Sequence, residues 1–316
     1  MKAQWHLQHA HGSPELPDWA VDFNLHTLTA RLMIQRGLND AQQVAGFLYP
    51  ERYSPALPEL LPGLDEGARL IIETVSEGTS ILLWGDHDVD GICTTLVLEE
   101  ALRQIGAVPV VHIAAYRGVS GALLQQLVQQ HSPGLVIACD TGAYSHAAAQ
   151  ALSKSKIPYL VLDHSGLPEA PLKDAVMINP NLLSPAHPLA TLAGVGIAFK
   201  VVQQLYHQLG GERQLARWLE LVALGTLAER VPLLGESRYL VQQGLRQLTD
   251  TARPGLVALA RAAAVELATL GAEDVRLSLA PRLNAFARLG DAQNAHALLT
   301  ADASQAAMLA TRGRRV

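Results

Sequence analysis

Three short acidic stretches hold the residues of this chain best suited to chemistry. Asp86, Asp88 and Asp90 alternate in Gly85-Asp86-His87-Asp88-Val89-Asp90-Gly91. Asp140 stands in Cys139-Asp140-Thr141-Gly142, and Asp163 and His164 are adjacent in Leu162-Asp163-His164-Ser165. Five carboxylates and two imidazoles brought together need counterions, because unpaired they repel and some must take up protons. Oxygen and imidazole ligands without a thiolate suit Mn²⁺ or Mg²⁺ better than zinc. Two such ions about 3.5–4 Å apart clamp a phosphoryl group and activate water, so hydrolysis of a phosphate ester is the chemistry in view. Each stretch also has a plainer reading. An Asp at a strand end often caps the next helix, and D-x-D-x-D occurs in solvated turns and Ca²⁺ loops. Around the triplet, an apolar strand before and a Gly-led helix after argue against an exposed turn.

Positioning these residues falls to alternating strands and helices. Apolar runs at Thr79–Gly85, Val108–Ala114, Gly134–Cys139, Pro158–Leu162 and Ala175–Ile178 predict strands, with helical spacing over Gly91–Gly106, Ala122–His131 and Ser145–Lys154 between them. Continuous apolar strands alternating with helices predict a mostly parallel sheet covered on both faces, an α/β fold. Ligands bind beyond the carboxyl ends of such strands, so the loops after the first, third and fourth strands should share one crevice. Residues 1–78 read as a helical preface, periodic over Leu25–Phe47 and interrupted by Pro55, Pro58 and Pro62. Residues 79–190 form the expected α/β core. Residues 191–316 read as helices: Leu192–Leu209, Gln214–Glu229, Ser237–Leu248, Pro254–Ala264, and two more near Leu277–Ala287 and Ala292–Arg312.

Composition sets outer limits. A length of 316 residues suits one large or two modest domains. Apolar residues at 49% against 17% charged supply a sizeable core, and 5% aromatics with abundant Ala and Leu favour helix-rich packing. Met1–Asp18 has no basic start followed by an apolar run, and no run of about 18 uncharged apolar residues occurs, so neither a signal peptide nor a membrane span is expected. Cys93 and Cys139 cannot form a disulfide framework and fit a reducing cytoplasm. The net charge of -5 argues against a broad nucleic-acid footprint. Two divalent ions would offset most of the clustered carboxylates by adding four positive charges, which leaves the question open. Gly194 and Gly196 could offer amides to a phosphate at a helix start, or simply allow close packing. Arg282 and Arg288 flank an Asn at helical spacing and could meet DNA phosphates or cap a helix.

In combination these motifs resemble one family. Residues 85–91 are similar to the first motif of the DHH phosphoesterases, residues 139–142 to the second, and residues 163–165 stand where the family has Asp-His-His. Residues 178–181 (INPN), 192–200 (LAGVGIAFK), 221–233 (LVALGTLAERVPL) and 280–290 (APRLNAFARLG) follow in the order and spacing of its single-strand exonucleases. Residues 31–50 resemble their N-terminal helices. The resemblance implies Asp88, Asp90, Asp140 and His164 as ligands of two Mn²⁺ or Mg²⁺ ions. It places Asp86 in the site beside them and Asp163 as an orienting support for His164. His87 falls where those exonucleases carry an aromatic. Ser165 departs from the family's second His, which meets the substrate phosphate, and Glu229 from its metal-binding Asp. Hydrolysis of single-stranded DNA from the 5′ end follows as the implied activity, in DNA repair and recombination. The implied state is a monomer, with single-strand-binding protein or a helicase as partners. The family's accessory domain, with its Gly-Gly-Gly-His motif, is expected to lie outside this chain. Two other readings remain: a degenerate DNA-binding or scaffold protein, and a phosphodiesterase for short oligonucleotides or cyclic dinucleotides.

Overall fold

The computed structural model describes residues 16–288 and 292–312, and the chain divides into compact units at Ser54/Pro55. The first unit contains α1 (Asp18–Asp22), α2 (Thr27–Gln35) and α3 (Ala41–Leu48), closed around Trp19, Ala30, Met33 and Val44. The predicted periodic stretch 25–47 is thus two helices, because the chain turns at Gly37 (φ 81°) and Asp40 caps α3 by accepting from the Gln43 amide at 2.8 Å.

The second unit opens with α4 (Leu64–Ser76) and then alternates β1 (Ser80–Gly85), α5 (Val89–Gln104), β2 (Val108–Ile113), α6 (Gly121–His131), β3 (Leu135–Cys139), α7 (His146–Lys154), β4 (Tyr159–Leu162) and β5 (Val176–Ile178). All five strands are parallel, in the order β2-β1-β3-β4-β5. Successive side chains face opposite ways. Ile81, Leu83, Ile137, Leu160 and Leu162 enter the larger core beneath α4, α5 and the later helices. Leu82, Trp84, Val136, Ala138 and Val161 enter a smaller one with Leu124, Ala148 and Leu152 of α6 and α7. Burial on both faces is why β1, β3 and β4 read as unbroken apolar runs. The sequence reading places α4 in the preface. Its stripe of Leu64, Ala68 and Ile71 is instead buried in the larger core, so this helix belongs with the sheet.

Beyond β5 come α8 (Gly194–Leu209), α9 (Leu219–Glu229), α10 (Gly235–Thr249) and α11 (Pro254–Ala263). A single turn, α12 (Ala272–Asp274), leads through a π-helical stretch at Val275–Leu279 into α13 (Ala280–Arg288). The predicted helix Ala292–Arg312 is two, α14 (Ala292–Thr300) and α15 (Ala303–Arg312). Asp302 breaks it by accepting from the Ser304 and Gln305 amides, each at 2.9 Å. Among the described residues no helix is long and apolar enough to cross a membrane.

The register fixes the geometry of the strand ends. Gly85 pairs with Cys139, Cys139 with Leu162, and Leu162 with Ile178. One residue further on, the amides of Asp86, Asp140 and Asp163 donate to the carbonyls of Cys139, Leu162 and Ile178. Asp86, Asp140, Asp163 and Asn179 therefore stand in one row across four neighbouring strands, at the β1/β3 switch point where doubly wound sheets open a crevice.

Candidate metal centre at the strand ends

The loop after β1 delivers three carboxylates in different ways. Asp88 caps α5, accepting from the Gly91 amide at 3.0 Å. Gly91 lets this turn close: a β-carbon there would lie 2.6 Å from that of Asp86. Asp90, in the first turn of α5, is buried and accepts from the amides of Gly194 (2.7 Å) and Val195 (3.0 Å). The helix start that the sequence suggested for a phosphate is thus occupied by Asp90, which gains the positive end of α8 and two of its orphan donors. The Val89 amide donates to Asn284 Oδ1 at 3.1 Å, so α13 braces the same loop.

Asp140 has a left-handed backbone (φ 63°), rare for a residue with a side chain, and its carboxylate is buried against Gly194, where any β-carbon would collide with Oδ1. Asp163 accepts from the Ala143 amide (2.9 Å) and from both the amide (2.8 Å) and hydroxyl (2.7 Å) of Ser165. It therefore holds the backbone around His164 and ties the loops after β3 and β4 together, a different support from a hydrogen bond to the imidazole itself. Asn181 Nδ2 donates to the carbonyls of His164 (2.8 Å) and Ser165 (3.0 Å), and Asn179 Nδ2 to Ser165 (3.0 Å). His164 Nε2 then lies 3.2 Å from Asp140 Oδ1, 3.6 Å from Glu229 Oε1 and 3.7 Å from Asp90 Oδ2.

Two adjoining ligand groups result. The ligand atoms of Asp86, Asp88 and Asp140 lie within 4.8 Å of one another, as do those of Asp90, His164 and Glu229. Among the described residues, Asp86 Oδ2, Asp140 Oδ1 and His164 Nε2 are buried without a hydrogen-bond partner, which is costly unless a cation completes them. The charges press on one another accordingly. Burial first, then the carboxylates of Asp90 and Asp88, raises Asp140 well above the ordinary range. Burial pushes Asp90 up to about 7, with His164 opposing and Asp88 assisting. Burial likewise raises Asp86 and Glu229. Hard oxygen donors with one imidazole, orphaned and burdened with excess negative charge, fit a pair of divalent ions such as Mn²⁺ or Mg²⁺.

Of the residues singled out from the sequence, Asp86, Asp88, Asp90, Asp140, His164 and Glu229 converge here. Asp163 and Ser165 form the layer beneath. His87 turns to Asp86, with Nδ1 2.6 Å from Oδ1, and stands outside both ligand groups. Arg282 Nη1 donates to the Ser278 carbonyl one turn back, at 2.9 Å. The side chain of Arg288 lies outside the described residues. Sequence reasoning missed Arg117, on the loop after β2. Its guanidinium is half exposed, donates to Ser165 Oγ at 3.0 Å and approaches Asp86 Oδ2 to 3.6 Å. Burial alone would lower its pKa, but Asp86, Asp140, Asp163 and Asp88 raise it. Asn179, Asn181 and Asn284 lie in motifs whose pattern assigns them no role; the strand-end row is the signal for Asn179.

A doubly wound parallel sheet with carboxylates and one imidazole gathered beyond its strand ends defines a class, and the sequence places the chain within it. A sequence model described as the DHH family, N-terminal domain, matches residues 80–226, and the chain belongs to that family. The single-stranded-DNA-specific exonuclease RecJ of Dickeya dadantii is 35% identical over 94% of this chain and 53% of its own length. That of Bacillus subtilis is 29% identical over 98% of this chain and 39% of its own length. Among solved structures, RecJ of Thermus thermophilus in complex with Mn²⁺ superposes with a TM-score of 0.81 at 27% identity, covering 96% of this chain and 44% of that one. Another, exonuclease RecJ bound to manganese, gives 0.75 at 30% identity, covering 83% and 67%. The chain spans about half the length, or less, of the curated relatives it matches.

Proposed function

We propose that this chain forms the metal-dependent core of a RecJ-like phosphodiesterase that hydrolyses single-stranded DNA from the 5′ end. The observation that carries the reading is the pair of adjoining ligand groups, each with buried atoms that lack a hydrogen-bond partner among the described residues. Asp86, Asp88 and Asp140 would hold one ion and Asp90, His164 and Glu229 the other. Such ions, when bound, polarise the phosphoryl oxygens and lower the pKa of water. The protein supplies the frame. The α8 amides fix Asp90, Asp163 fixes the backbone of residues 143 and 165, and Asn181 fixes that of His164. Arg117 supplies the phosphate-facing charge that Ser165, in place of the family's second His, cannot. Ser165 accepts from the guanidinium and donates onward to Asp163, so it positions Arg117 in the mouth of the site. Glu229, despite its extra methylene, reaches His164 and the second ligand group. A hydrolase specific for single strands depends on strand separation, which makes a helicase or single-strand-binding protein a natural neighbour.

The test is Mn²⁺-dependent release of nucleotides from 5′-phosphorylated single strands, with duplex of the same sequence alongside. Cleavage of the single strand is expected. Arg117→Ala should lower the rate by about 10²–10³, the usual cost of one oriented charge-stabilising donor. If fewer than two Mn²⁺ ions bind and neither the wild type nor the combined Ser165→His, Glu229→Asp variant cleaves, the reading as a DNA-binding scaffold takes its place.

A further inference from the structure

We infer that Tyr144 is a stacking platform for the bases of a single strand whose phosphate lies at the carboxylates. The inference rests on the proposed function and adds a subsite to it. Scattered exposed apolar side chains are ordinary on any protein. Here they gather at one end of the sheet. The segments after β2, β3, β4 and β5 each expose one: Tyr116 (83%), Tyr144 (60%), Leu167 (40%) and Leu182 (47%). These are the segments that carry Arg117, Asp140, His164 and Asn181.

The two tyrosines stand on backbone that is held in place. Trp84 Nε1 donates to the Gly118 carbonyl (3.2 Å), and the Gly118 amide donates to Thr141 Oγ1 (3.2 Å), which ties the Tyr116 loop to the Asp140 loop. The Ala143 amide, one residue before Tyr144, donates to Asp163. The Tyr144 hydroxyl reaches over the loop after β4, 3.5 Å from where a β-carbon on Gly166 would stand. Gly166 follows Ser165, the acceptor of the Arg117 guanidinium. A cation suited to phosphate and an exposed ring suited to a base thus meet on one rim, a single loop apart. Grooves for single strands combine those two features, and a rigid ring loses little entropy when a base covers it.

Binding of 3′-labelled oligonucleotides at low salt in Ca²⁺ tests the idea, using an intact strand and a series with one abasic nucleotide at successive positions from the 5′ end. Tyr144→Ala should weaken binding of the intact strand by about 5- to 150-fold, the range for loss of one base–aromatic stack. Tyr144→Phe should bind like wild type. One abasic position should weaken the wild type by a similar factor, and Tyr144→Ala should then lose nothing more on that strand. Unchanged affinity in Tyr144→Ala, or an equal loss on every abasic strand, overturns the stacking subsite and leaves the phosphodiesterase reading standing. Failure of the wild type to bind any of the strands overturns both.

Discussion

Asp140 concentrates the conflict between stability and chemistry in a single residue. Its backbone is left-handed, its carboxylate is buried, and one oxygen lacks a hydrogen-bond partner among the described residues. Each of these costs free energy in the metal-free protein, and a bound cation relieves the electrostatic part of the cost. Asparagine adopts the left-handed region more readily than most residues and carries no charge to bury. Asp140→Asn should therefore raise the stability of the metal-free protein, while abolishing the Mn²⁺-dependent rise in Tm. Thermal melts with EDTA and with Mn²⁺ would show both effects. A variant that melts lower without metal, or still gains from Mn²⁺, would remove Asp140 from the ligand set.

At the level of elements, much was legible because the sheet is buried on both faces. Unbroken apolar runs marked all five strands, and the general behaviour of parallel sheets placed the acidic loops together before any contact was known. The register turned that expectation into a row of Asp86, Asp140, Asp163 and Asn179. What stayed hidden depends on tertiary partners. Amphipathic spacing says that α4 buries a face but not which core receives it. The glycines at 194 and 196 announce a helix start but not that Asp90, 104 residues earlier, takes its amides. Arg117 lies on a loop with no periodicity, so only the fold reveals its neighbours. Asn284 is a similar case, reaching from α13 to the Val89 amide. Asn284→Ala would leave that buried donor unpaired and cost about 1–3 kcal/mol. It should also loosen Asp88 and so weaken Mn²⁺ binding, which calorimetric titration would detect. A loss of stability with unchanged Mn²⁺ affinity would make Asn284 a packing residue only.

For the whole molecule, the proposed centre should make stability depend on pH and on metal together. Asp90 is pushed up to about 7, and Asp86, Asp140 and Glu229 are also raised, with burial the leading cause in each. Their unfolded values lie near 4, so between about pH 4 and 7 the metal-free folded protein holds protons that the unfolded chain has lost. A raised carboxyl pKa contributes stability that is complete below the unfolded value and lost as pH rises through the folded one. The metal-free Tm should accordingly fall with rising pH through the region near 7. His112, which burial holds below its ordinary value, acts oppositely on the acid side of about pH 6.5, so the informative window runs from there to about pH 8. Divalent ions bind the deprotonated carboxylates, displacing those protons, so their affinity should climb across the same window. Melts at saturating Mn²⁺ should therefore hold level or rise while melts in EDTA decline, and the gap between them should widen with pH. Asp140→Asn should flatten the EDTA curve and close the gap. A gap of constant size from about pH 6.5 to about 8 would mean that these buried carboxylates are not what binds the metal.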